Sequence, residues 1–261
     1  MPDASGVRQC LALARHELRV LAHDPLPLVL LFAFPVAVIA FFKPALALAL
    51  FSEGYTNATG AEQAVPGVAV TFSFFLVGFV GLAFFREHGW GTWPRLRASP
   101  AGAAWILAGK LAPILGVAFL QLVVVFGVGV AAFGLRVRGS VAALVLVCAL
   151  LAACAVALGT AVVANARTLQ QVNIVANLGT VVLAGLGGAL VPVALLPGWT
   201  RTIAPATPSY WAMRAFRAVL LDRGGVPSVL LPAGVLLAFT AGFVVVAVAR
   251  FHLDDPKLSW T

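Results

Sequence analysis

Apolar residues run along this chain in six long blocks, interrupted by few polar side chains. A helix needs roughly 20 consecutive apolar residues to cross a hydrocarbon core about 30 Å thick. A helix that is apolar all round is either a membrane span or the centre of a large core. The blocks predict spans over about 26–48, 65–85, 106–135, 141–164, 172–191 and 229–249. Span one contains Pro35 and carries Lys43 near its far end, where a long side chain can snorkel to the headgroups.

Two segments follow a different pattern. From 5 to 22, Val7, Leu11, Ala14, Leu18 and Leu21 recur at three- and four-residue steps, while Arg8, Arg15 and Arg19 lie elsewhere. This predicts an amphipathic helix in the plane of the interface, with a soluble helix packed on another subunit as the competing reading. Between 192 and 227, Pro192, Pro197, Pro205 and Pro208 break the chain repeatedly before a short amphipathic helix over 210–221. The tail, 251–261, holds Asp254-Asp255-Pro256 and predicts a solvated end. The first apolar block is not followed by a small-residue cleavage site, so it is expected to stay in the membrane.

Composition agrees with the pattern: 62% of the 261 residues are hydrophobic and 10% charged, with a mean hydropathy of +1.03, against about 25% charged in a soluble domain. The expected fold is an all-α integral membrane protein of one domain over 1–261. It would comprise an interfacial helix at 1–24, a six-span bundle at 26–250, a short coupling helix between spans two and three, and a tail at 251–261.

The net charge of +8 would suit nucleic acid if the basic residues shared one soluble face, but they punctuate the gaps between apolar blocks. The expected surroundings are therefore a lipid bilayer, with no nucleic acid. Six crossings put both termini on one side. With the termini inside, Arg8, Arg15, Arg19, Arg86, Arg95, Arg97, Lys110, Arg167, Arg250 and Lys257 are inner, and Lys43, Arg136, Arg138, Arg201, Arg214, Arg217 and Arg223 are outer. The first outer loop, 52–63, holds Glu53, Asn57 and Glu62 and no basic residue. The positive-inside rule thus favours cytoplasmic termini in a multi-pass plasma-membrane protein.

Several chemistries are not expected. Cys10, Cys148 and Cys154 lack metal-ligand spacing and suit packing. His16, His23, His88 and His252 are scattered through polar segments, so neither a metal site nor catalysis by this chain is expected. Acidic residues fall outside the predicted spans or at their edges, which argues against ion-coupled transport. No Gly-x-x-x-x-Gly-Lys-Ser/Thr phosphate loop occurs, so the chain has no sequence with which to cradle ATP phosphates.

Within the spans, Gly179, Gly185, Gly187 and Gly188 predict that span five faces protein. Asn173 and Asn177 share a face suited to interhelical hydrogen bonds. Phe72, Phe75 and Phe79 could line a path for an apolar substrate, with lipid-facing packing as the alternative.

The most informative polar stretch is 86–100. Thr92 can cap a short helix over 92–98, with Trp93 and Pro94 in its first turn; Ser99-Pro100 would end it and offer the next helix a cap and first-turn proline. Trp93 and Leu96 would share a face that a partner's groove could grip. Glu87 suits either a local ion pair with Arg86 or contact with a partner or the N-terminal helix.

The succession Arg86-Glu87, Gly91-Thr92, Arg95-Leu96, Ser99-Pro100 and Gly109-Lys110 resembles the cytoplasmic loop of type-2 permease subunits of ATP-binding-cassette exporters, multidrug type. A second stretch, Pro192, Leu196-Pro197-Gly198-Trp199, Pro208-Ser209-Tyr210 and Arg217, is similar to that family's segment between spans five and six. The resemblance implies a permease paired with a second copy or a paralogue and bound to two ATP-binding-cassette ATPase subunits. ATP and Mg would sit on those subunits, this chain binding no cofactor.

Glu87, Gly91, Thr92, Arg95, Leu96, Ser99 and Pro100 would couple to the ATPase, and Pro197, Trp199, Pro208, Tyr210 and Arg217 would form an external segment. The implied activity is outward transport of a hydrophobic or amphiphilic cargo, such as a drug, lipid or natural product. Export of a polysaccharide or lipid-linked glycan, or ion-coupled secondary transport, is the alternative. Gly89 and Arg214 stand where relatives often carry acidic residues, so no polar contact is carried over to them.

Overall fold

A computed structural model describes residues 4–23, 25–100 and 102–251. Six helices are long and apolar enough to cross a membrane: α2 (Pro25–Ser52), α3 (Ala61–Gly89), α5 (Ala103–Phe133), α6 (Val141–Asn165), α7 (Leu169–Leu186) and α10 (Val226–Arg250). Between and before them lie α1 (Ala4–His23), α4 (Trp93–Arg97), α8 (Gly198–Ile203) and α9 (Pro208–Leu220), and no strand forms among the described residues. The predicted tail beyond Phe251 lies outside the described residues.

α3 is the axis of the bundle. It packs against α2, α5, α6, α7 and α9, and 78% of its most apolar stretch is buried, against 22% for α7 and 17% for α2. Phe74, Leu76, Val80, Phe84 and Phe85 of α3 are fully buried. The outer helices instead leave large apolar side chains open, including Phe41 and Leu48 of α2 and Val245 and Val248 of α10. Such surfaces suit lipid, where each helix satisfies its own backbone hydrogen bonds.

Several helix ends differ from the apolar blocks. α3 runs through Arg86 and Glu87 to Gly89 instead of stopping at the charged pair, because both side chains find partners inside the protein. α7 stops at Leu186, five residues short of the block's end. There the chain turns so tightly that a Cβ at Gly187 would lie 2.0 Å from the Ser209 hydroxyl. α9 begins at Pro208, whose preset φ suits a first turn, and Thr207 caps it by accepting from the Tyr210 amide at 3.4 Å. Its apolar face, including Met213, Phe216 and Val219, is buried against α3, α6 and α10.

Span five meets one expectation in part and corrects another within this chain: α7 packs against α3, and a Cβ at Gly187 or Gly188 would lie 2.0 Å from Ser209 or 2.4 Å from Val193. A Cβ at Gly179 or Gly185 would meet nothing within 4 Å, so these glycines do not admit a neighbouring helix here. Asn173 and Asn177 are exposed and make no hydrogen bond to another described helix.

The polar segments gather at two ends. At one, Tyr55 donates to Asp222 at 3.2 Å, Arg138 to the Asn57 carbonyl at 3.3 Å and Gln63 to the Gly188 carbonyl at 2.9 Å. At the other, α1 and α4 meet the ends of α3 and α5.

Candidate functional site

The site begins with a close approach. A Cβ at Gly109 would lie 2.9 Å from the Cys10 carbonyl oxygen and 2.9 Å from the Leu13 Cβ, so glycine lets α1 lie against α5. That contact carries Glu17 of α1 to Lys110 of α5. Lys110 is fully buried, and its Nζ donates to Glu17 Oε1 at 2.6 Å, Glu87 Oε1 at 2.9 Å and the Ala83 carbonyl at 3.1 Å. All three ammonium donors are thereby used.

The second oxygen of each carboxylate is also engaged. Arg86 Nη2 donates to Glu17 Oε2 at 2.7 Å, and the Thr92 hydroxyl donates to Glu87 Oε2. The Thr92 amide also donates to the Glu87 carbonyl at 3.0 Å. Two carboxylates and two cations thus form a neutral quartet, none of whose side chains is more than 14% exposed. Buried charges are tolerated when paired and hydrogen-bonded in this way. The Arg86 guanidinium further lies 5.1 Å from the centroid of the Trp90 ring.

Gly91, at φ +66, makes the left-handed turn that reverses the chain from α3 into α4. Three readings of this stretch need correction. The Thr92 hydroxyl does not cap α4, because it is drawn back onto Glu87. Ser99 does not cap α5, whose N-cap is Gly102; its hydroxyl donates instead to the Leu96 carbonyl at 2.7 Å. Trp93 is not offered to a partner: it is 5% exposed, stacked on His88 with centroids 4.6 Å apart and edge-on to Phe84 at 6.4 Å.

Leu96 is half-buried against the same core, and Glu87 is buried. The outward face of α4 is therefore Pro94, Arg95 and Arg97, continued by Ala98 and Pro100 and flanked by Gly91.

The phenylalanines have different surroundings in this chain. Phe72 is buried and lies edge-on to Phe34 at 5.6 Å and beside Phe75 at 5.5 Å, which makes them α2–α3 packing. Phe79 lines a small cleft beside Glu17, Val20 and Arg86.

At the far end, Arg217 pairs with Glu53 and lies 5.8 Å from the Tyr55 ring centroid. Pro208 is buried and Tyr210 half-buried, edge-on to Trp211 at 5.4 Å; Pro197 and Trp199 are exposed, Trp199 by 64%. The five residues of that segment thus divide between core and surface.

Sequence reasoning missed that Glu17 and Lys110 are partners: it took Gly109-Lys110 as part of the loop motif and an inner charge, and Glu17 as a charge outside the spans. The available signal was Gly109-Lys110 on the first turns of an apolar block, a glycine for close approach followed by a charge needing a mate. Among the described residues no three His, Cys, Asp or Glu side chains gather to hold a metal. What the quartet does is mechanical: it fixes α1, α3, α5 and the turn into α4 in one register.

The family model for ABC-2 type transporters matches residues 8–221. The chain is also 24% identical over 200 residues to the linearmycin resistance permease protein LnrN of Bacillus subtilis (strain 168), an alignment covering 76% of this chain and 52% of that protein. The chain therefore spans about half the length of that relative. The family match runs from the first turns of α1 through the quartet, α4 and the whole α7–α9 segment, and the chain belongs to the ABC-2 type transporter family.

Proposed function

We propose that this chain is the membrane-spanning subunit of an ATP-driven exporter whose ATPase is a separate polypeptide docking on α4. The observation that carries the reading is the quartet. A force applied to the exposed face of α4 reaches Thr92, passes to Glu87, and through Lys110 and Glu17 reaches α5 and α1 together. A short exposed basic helix so firmly tied to two spans is suited to receive a push. Arg95 provides a charged contact; Glu87, Thr92 and Leu96 serve from inside, by holding α4 in place.

The sequence offers no phosphate loop, so ATP and its Mg would be held by the partner. The end bearing α1 and α4 would face the cytoplasm, a placement that the distribution of basic residues favours. Asn173 and Asn177, polar and open on a span, would be unsatisfied in hydrocarbon. A second copy or a paralogue covering α7 would answer that need. The open apolar surfaces of the spans and the likeness to a permease named for linearmycin resistance support a hydrophobic or amphiphilic cargo such as a drug or natural product.

The test is the double substitution Arg95→Glu with Ala98→Glu, both at exposed positions, in vesicles containing the chain and its ATPase. The chain should insert normally, lose most of the co-purifying ATPase and lose ATP-dependent export. Undiminished export by that variant would overturn the docking role of α4.

A further inference from the structure

We propose that the end of the bundle opposite α4 carries a site for a phosphate-type oxyanion, formed by Arg136 and Arg138 of the α5–α6 loop and Arg223 of the α9–α10 turn. The three side chains line one open cleft of about 530 Å³, and Asn57 of the α2–α3 loop completes its wall. Among the described residues no carboxylate pairs with any of the three. Asp222, next in sequence to Arg223, is taken by the Tyr55 hydroxyl at 3.2 Å.

Backbone packing builds this convergence. The Ser140 amide donates to the Gly224 carbonyl at 3.0 Å, joining the two arginine-bearing segments. A Cβ at Gly139 would sit 2.4 Å from the Gly224 oxygen and 2.6 Å from the Val219 oxygen, so the segments close only because that residue is glycine. Arg223 has a φ of +57, the left-handed region, and among the described residues no other non-glycine residue does. The Gly224 amide donates to the Ala218 carbonyl at 2.7 Å, so this left-handed residue is the cap that closes α9. The cap fixes the backbone of Arg223 where its side chain lines the cleft with two like charges.

A planar guanidinium fork matches phosphate oxygens two at a time, which is the reason arginine outperforms lysine at such sites. An oxyanion in the cleft would relieve the mutual repulsion of three uncompensated cations. The surroundings suggest the source. Val141 and Val226, exposed at the first turns of α6 and α10, place apolar surface beside the charged cleft. Phosphate below and hydrocarbon alongside is the division found in a phospholipid. A free phosphate would meet the same three arginines.

The experiment uses the full chain reconstituted in nanodiscs of equal parts phosphatidylglycerol and phosphatidylcholine, then released into detergent for native mass spectrometry of the retained lipid. Thermal unfolding with and without inorganic phosphate, at fixed ionic strength, reports the free anion. The wild type should retain phosphatidylglycerol in preference, and R136Q/R138Q/R223Q should lose that preference by roughly fivefold for each arginine removed. The charge-preserving R136K/R138K/R223K should keep part of it, and R201Q/R214Q, which removes two other arginines of that end, should keep all of it. A phosphate-dependent stabilisation of the wild type, absent from R136Q/R138Q/R223Q and unaccompanied by lipid retention, would identify a soluble phosphate as the ligand. Equal lipid retention by wild type and R136Q/R138Q/R223Q, with no response to phosphate, would overturn the site. Single substitutions at Arg136 keep the test open should the triple variant fail to fold.

Discussion

Replacing Lys110 by methionine keeps most of the length of the side chain and removes its charge, so it isolates what the ammonium does. Two carboxylate oxygens, 2.6 and 2.9 Å from Nζ in the wild type, would lose their shared cation in a site nearly closed to solvent. Removing one partner of a buried pair is destabilising by about 3–5 kcal/mol. Glu17 keeps Arg86 and Glu87 keeps Thr92, which places the expected loss at the lower end, about 3 kcal/mol, or about 150-fold in the equilibrium for lifting α1 off α5. Hydrogen exchange followed by mass spectrometry should show this as faster exchange in α1 and the 90–98 segment, with the centre of α6 unchanged. Glu87→Gln should do less, because Lys110 retains Glu17 and the Ala83 carbonyl. The double variant Glu17→Gln with Lys110→Met should be less damaged than the sum of the single changes, since it leaves one fewer orphaned charge. Exchange in α1 within twofold of the wild type in Lys110→Met would refute the reasoning.

Other substitutions probe the supports of the site. Gly109→Val should force α1 from α5, because even a Cβ there meets the Cys10 carbonyl at 2.9 Å; crosslinking between cysteines introduced on the two helices should fall sharply. Trp93→Ala removes a buried ring stacked on His88 and should loosen α4 by about 3 kcal/mol, in the range for deleting a buried aromatic. Limited proteolysis within 90–100 measures it, and unchanged resistance would contradict the inward placement of the ring. At the far end, Arg217→Gln orphans Glu53, whose Oε1 already lacks a partner; the expected loss is about 1–3 kcal/mol, read as a lower unfolding temperature.

The spans were legible because each carries its own apolar block, a property of neighbouring residues. Their ends were less so, since an end depends on what the flanking charges meet. Arg86 and Glu87 look like a boundary locally, yet α3 continues through them because Glu17 lies 69 residues before Arg86 and Lys110 23 residues after Glu87. Thr92 has the chemistry of a cap, but a carboxylate five residues back competes successfully for its hydroxyl. Trp93 and Leu96 do share a face; helical periodicity fixes that much. Whether the face points to a partner or to His88 and Phe84 is decided by the turn at Gly91, beyond the reach of periodicity.

Why four charges hold this junction, when leucines would be cheaper to bury, follows from the solvent. Near lipid an apolar α1 gains little by choosing α5 over acyl chains, which are as apolar as leucine. It could slide or rotate without penalty. Paired charges have one good geometry, and α1, α3, α5 and α4 can transmit displacement only while they share it. Well-packed apolar replacements of buried ion pairs are often neutral or stabilising by about 1–4 kcal/mol. The quadruple variant E17L/R86M/E87M/K110M should therefore unfold at the wild-type temperature or above it while ATP hydrolysis by the partner proceeds with less export per ATP. Stability and transport would then part company, which a purely structural cluster does not allow. A quadruple variant as stable as the wild type that also exports as much per ATP would show the register to be set elsewhere.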